Sequence, residues 1–228
     1  LNMNTDTQVN GIYFSDSKNG WAAGNKGSIL HSTDGGKNWK ILSNGSDNLY
    51  DVYFTDPLNG WIAGDDGTVL HTSDGGTTWT SQKTGSEPFV KISFIDSKHG
   101  WVSGKEGSLY YTDDGGLTWN IQNSGLAKEL RCVYFPDANN GWAGGSSFYR
   151  GGTILHTKDG GMNWELQNGR TDDKNEEKIT GVFFTDKNNG WITGFGGFLL
   201  HTADGGKNWM KVDLGTDDDL LEIYFVDA

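Results

Sequence analysis

Ser32-Thr33-Asp34-Gly35-Gly36-Lys37-Asn38-Trp39 decides the fold, because the same pattern returns at 72–79, 112–119, 157–164 and 202–209. Each copy reads S/T-x-D-x-G-x-x-W. The carboxylates are Asp34, Asp74, Asp114, Asp159 and Asp204, and the closing indoles are Trp39, Trp79, Trp119, Trp164 and Trp209. An Asp in this setting accepts hydrogen bonds from the amides of its own turn. The glycines permit positive φ. The tryptophan is expected to return into the sheet and pack between repeat units.

The remaining five tryptophans form a second series. Trp21, Trp61, Trp101, Trp142 and Trp191 each follow a glycine, at spacings of 40, 40, 41 and 49. A fixed period of this length marks a repeat architecture. Each unit holds four short strand patterns, here lettered A to D, with turn signals between them. In the second unit, strand A covers 51–55 and the turn Asp56-Pro57-Leu58-Asn59-Gly60 leads into strand B at Trp61. Asp65-Asp66-Gly67 turns into strand C, and the Asp motif turns into strand D. Asn-Gly and Asp-Gly suit tight turns because they tolerate positive φ.

Four strands per unit of about 40–45 residues describe an all-β fold, a β-propeller of four-stranded antiparallel blades. Phe14, Phe54, Phe94, Phe135, Phe184 and Phe225 recur on strand A and form its expected core. One propeller domain is expected over 1–228, with repeats near 9–47, 48–87, 88–127, 128–177 and 178–218. Residues 219–228 repeat strand A of a sixth unit, which is the expectation for part of a six- to eight-bladed ring.

Composition closes off other classes. Glycine is 35 of 228 residues and proline 3, yet ten tryptophans supply the core that disordered chains lack. No apolar run has the length of a membrane span. A net charge of −12 argues against nucleic-acid binding, which needs a basic footprint. The single cysteine, Cys132, excludes an internal disulfide and a Cys-rich zinc site, and reads as a buried thiol on strand A.

The five motifs resemble the Asp box of BNR-repeat propellers. With N-G-W before the box and L-H-T/S leading into it, the unit is most similar to the photosystem II stability/assembly factor-like repeats. That resemblance implies an extracytoplasmic propeller, secreted or periplasmic and often bacterial, that acts as an assembly or interaction factor. Sialidases and family 74 glycoside hydrolases also carry Asp boxes, away from their active sites. The box therefore identifies a fold and leaves the activity open.

No residue set here calls for a cofactor or a metal. His31, His71, His156 and His201 share one repeat position, one per blade, so they cannot converge on an ion. They read as structural, with a ring nitrogen bonded to nearby backbone. Asp217-Asp218-Asp219 lacks the spacing of a calcium loop and reads as a solvated turn. A P-loop, a nucleophile elbow and an HExxH motif are absent from the sequence.

Departures from the repeat point to a binding site, since insertions map to loops on one face. Blade four is longer than blade two between strands B and C, through 145–150, and again between strands D and A, through 168–178. Both loops lie at one end of the blade. Arg150 and Arg170 fall within them, and Arg131 starts strand A at the same end; these are the three arginines of the chain. Phe148, Tyr149 and, from the next blade, Phe195 complete the candidate site. Arginine with aromatic residues is the composition of interaction hot spots. The expectation is a non-enzymatic propeller that binds a protein partner, through an acidic group, at these loops. A carbohydrate-active or carbohydrate-binding propeller is the competing expectation.

Overall fold

The computed structural model describes residues 8–43, 45–126, 128–146, 152–167 and 179–225. It contains five four-stranded antiparallel sheets, each in the order A-B-C-D. In the second sheet strand A is Leu49–Phe54, B is Gly60–Gly64, C is Val69–Thr72 and D is Thr80–Ser81. The chain falls into two compact units, residues 1–102 with 112–119, and residues 103–111 with 120–228. Among the described residues no helix is long and apolar enough to cross a membrane.

The core repeats one aromatic arrangement. In the first unit Trp21, from strand B of blade one, stacks on Phe54 of blade two at 3.8 Å, and Trp61 stacks on Phe94 at 3.8 Å. In the second unit Trp142 stacks on Phe184 at 3.6 Å. The box tryptophan meets the same phenylalanine from its own blade, edge-on: Trp79 to Phe54 and Trp209 to Phe184, each at 6.0 Å. Strand-B tryptophan thus supplies the ring stack between blades, and the box tryptophan closes the base of its own sheet. Phe54 and Phe184 are each 1% exposed, whereas Phe14, met only edge-on by Trp39 among the described ring pairs, is 38% exposed.

The glycine before each strand-B tryptophan, preceded by asparagine in four blades and by His99 in the third, is there for a different reason than positive φ. Gly60 lacks a positive φ; a Cβ there would meet the Phe54 ring at 2.4 Å. The same holds at Gly100, with Phe94 at 2.4 Å, and at Gly190, with Phe184 at 2.3 Å. The asparagine is held by the turn acid instead: Asn59 donates its backbone N–H to Asp56 at 2.9 Å and its side-chain amide at 2.8 Å. Positive φ does appear at the B–C hairpin, at Asp66 (52°) and Gly67 (68°). Both central residues then have the φ sign of a type I′ turn.

Residues 220–225 take the place of a strand A against blade five without entering a sheet. Leu220 donates its N–H to the Gly194 carbonyl at 3.1 Å, and Phe225 packs on Trp191 at 4.4 Å. This is the register that the sixth repeat predicts.

Candidate functional site

The Asp boxes are structural at atomic level. Thr72 Oγ1 accepts the Gly76 N–H at 2.9 Å and donates to Asp74 at 2.8 Å. Asp74 then accepts the Thr78 N–H at 2.8 Å. The same set recurs at Asp34, Asp114, Asp159 and Asp204. Hydrogen bonds from Asn38 hold the Asp34 carboxyl down at about 2, and those from Asn163 do the same for Asp159. Each carboxylate is committed to its own turn. The box also ties adjacent blades: Trp61 Nε1 donates to the Gly115 carbonyl at 2.9 Å, and Gln122 Nε2 donates to the Gly160 carbonyl at 3.0 Å. The sequence signal for the second tie is glutamine three residues after the box tryptophan, at Gln82, Gln122 and Gln167.

The repeat histidines are structural through stacking. His71 stacks on Trp61 at 4.9 Å, and His156 on Trp142 at 4.4 Å, across the B–C strand pair. The Nε2 atoms of His31 and His156 are buried without a hydrogen-bond partner, and His156 Nδ1 lies 3.5 Å from the Gln167 side-chain amide, where a bond to backbone was expected. Burial pushes His156 down to about 4. Cys132 is buried, with Sγ 3.5 Å from the Gly144 carbonyl, and no group of three potential metal-ligating residues occurs among the described residues.

The loop end of blades four and five is different. Arg131 lies in the first strand of blade four, Leu130–Tyr134. Its Nη2 is 2.7 Å from Glu129 Oε2. Its guanidinium carbon lies 5.6 Å from the centre of the Phe195 ring, within cation–π range. Phe195 reaches this place because it starts the B–C turn of blade five, where Gly196 and Gly197 both take positive φ (67° and 69°). The structure therefore brings together two of the six predicted site residues. Phe148, Tyr149, Arg150 and Arg170 lie outside the described residues.

Five Asp boxes on five four-stranded sheets define an Asp-box β-propeller. The family described as photosynthesis system II assembly factor YCF48 matches residues 42–120 and 122–218, more than three-quarters of the chain, and the chain belongs to that family. No curated protein matches it. Among solved structures, YCF48 bound to D1 peptide is 19% identical, with a TM-score of 0.66 over 100% of this chain and 90% of that one. YCF48 from Cyanidioschyzon merolae is 18% identical, with a TM-score of 0.60 over 94% of this chain and 87% of that one. An ancestral GH74 enzyme is 16% identical, with a TM-score of 0.74 over 92% of this chain and 32% of that one. At these identities the likeness is one of fold.

Proposed function

We propose that the protein is a non-enzymatic assembly or interaction factor that binds a protein partner at the loop end of blades four and five. The observation that carries this reading is Arg131 set against Phe195, in a chain whose net charge is −12. Arginine pairs with planar carboxylates through two parallel N–H bonds, and the aromatic ring supplies apolar contact and a stacking surface. Arg150 and Arg170, with Phe148 and Tyr149, extend the same site through the two insertions of blade four. The partner group is an acidic side chain or a terminal carboxylate. The relative solved with a D1 peptide supports a polypeptide ligand. Family membership supports the assembly role, and an extracytoplasmic location, secreted or periplasmic, goes with this reading.

The test is a pull-down with peptides that end in a free carboxylate or in an amide. Wild type is compared with Arg131→Ala, Arg150→Ala, Arg170→Ala and the blade-two control Asp66→Ala. The free-carboxylate peptide is expected on wild type and on the control, with reduced recovery on each arginine variant and at higher salt. Equal recovery on all five proteins would sink the proposal.

A further inference from the structure

Glu129 places a carboxylate of the protein itself on the arginine that the proposed partner needs. Its backbone is fixed by the blade-four hairpin: the Glu129 carbonyl accepts the Ser146 N–H at 3.1 Å. Gly145 opposite has no room for a side chain, since a Cβ there would lie 2.0 Å from the Glu129 oxygen. From this fixed position Oε2 reaches Arg131 Nη2 at 2.7 Å. The Arg131 Nε is buried and has no hydrogen-bond partner. Phe195 lies over the ring-facing side of the guanidinium.

Nη2 is the nitrogen shared by both two-point edges of a guanidinium. One edge pairs it with Nε, the other with Nη1. A carboxylate that binds bidentately by either edge must use Nη2. Nη2 has two N–H groups, one on each edge, and Glu129 engages one of them. A two-point ligand on that edge has to displace Glu129, and one on the other edge has to settle beside its charge. We infer that Glu129 is an internal competitor: it occupies Arg131 until a planar carboxylate offers two bonds where Glu129 offers one. An amide carbonyl or hydroxyl offers one neutral acceptor and gains nothing by the exchange. Charge works in the same direction, because an incoming carboxylate is repelled by Glu129 until the glutamate side chain turns away. Specificity here comes from an element that opposes binding as well as from one that favours it. The inference rests on the reading of Arg131 as a partner-binding residue, and it adds what that residue selects.

The test follows the Arg131 Nε–H by two-dimensional 15N NMR, with the cross-peak assigned through Arg131→Lys. N-acetylglycine serves as the carboxylate probe and N-acetylglycinamide as the neutral control. The probe is expected to shift the Nε–H signal of wild type, and to saturate it at about two- to five-fold lower concentration in Glu129→Gln, the ratio given by removing a partly exposed ion pair. Glu129→Ala should behave like the glutamine variant, and the amide control should shift none of the three proteins. Saturation at equal or higher concentration in both variants would overturn the competitor role while leaving Arg131 as a carboxylate site. A probe that shifts none of the proteins would also overturn it. Failure of the proposed function itself shows separately, as a pull-down that Arg131→Ala leaves unchanged.

Discussion

Asp65 and Phe195 hold the same place in the hairpin turn between strands B and C of their blades, and their side chains are used in opposite ways. Asp65 turns inward to its own blade: it accepts the Tyr50 hydroxyl at 2.7 Å, and the Asn48 backbone N–H and side-chain amide at 3.1 and 3.0 Å. Blade one closes similarly, with Asn10 donating to Asn25 at 2.8 Å. Phe195 has no acceptor to offer; the Gly196 N–H goes to Asp219 at 3.0 Å, just as the Lys26 N–H of blade one goes to Asn48 at 3.3 Å. Its ring lies instead against Arg131 of blade four. Asn10, Tyr50 and Arg131 share one register position, four residues before the strand-A phenylalanine. The rim of blades one and two uses that position to satisfy itself. In blades four and five the same scaffold carries an arginine held in place by a ring and a carboxylate. The lesson is that one backbone device serves closure in one region and presentation in the other, and only the side chain at two positions decides which.

The comparison assumes a core common to both regions, and the largest effect tests that assumption. Trp61 is 0% exposed, stacks on Phe94 and donates to Gly115. Trp61→Ala is expected to lower unfolding free energy by about 3–5 kcal/mol in urea denaturation. A loss below ~1 kcal/mol would mean that the blades do not depend on this contact. Thr72→Val comes next. It removes an acceptor from the Gly76 N–H and a donor to Asp74, at a residue 1% exposed, and is expected to cost about 1–3 kcal/mol. Partner binding by the folded fraction should persist.

Acid separates the two kinds of structural group. The folded His156 value, about 4, lies below the ordinary 6.5, so the unfolded chain binds the proton first. Its contribution is full above pH 6.5 and is lost as pH falls through the window down to about 4. Asp34 and Asp159, held at about 2 against an ordinary 3.8, add a second loss between those values. His156→Phe keeps a ring on Trp142 and should flatten stability across the upper window while leaving the lower one. An unchanged pH profile would count against burial of a neutral imidazole. The smallest effect concerns the turn. Glu106 has φ of 55°, a conformation that costs a side-chain-bearing residue. Glu106→Gly gives blade three the two-glycine turn of blade five and is expected to raise stability by up to ~1 kcal/mol, read from the denaturation midpoint.

The repeat itself was legible because each blade states its turns and its aromatic residues in the same order. Its packing was less so. The glycine of Asn-Gly-Trp reads as a turn residue, yet its reason is the phenylalanine ring six residues earlier, a contact that only the folded sheet creates. The histidine-on-tryptophan stack was visible as a coincidence of period but not as a contact. Strand D is also uneven in a way the repeat does not announce: it has four residues in blade one, Lys40–Ser43, and two in blade two, Thr80–Ser81, after box turns of the same length. At the site, register put Arg131 and Phe195 at the same end of neighbouring blades, and the 5.6 Å between guanidinium and ring is what the structure adds. Glu129 was missed because a glutamate among thirty acidic residues carries no signal until its distance to Arg131 is known.

The division of labour between the two ends of the blades is tested most directly by one paired measurement: thermal unfolding and binding of a free-carboxylate peptide, each on Arg131→Ala and on Asp74→Ala. Arg131→Ala is expected to lose the peptide with its melting temperature nearly unchanged. Asp74→Ala is expected to melt lower while its folded fraction keeps wild-type affinity. The reverse pattern, with Asp74→Ala losing the peptide at unchanged stability or Arg131→Ala binding as wild type does, would contradict the assignment of partner binding to the Arg131 rim.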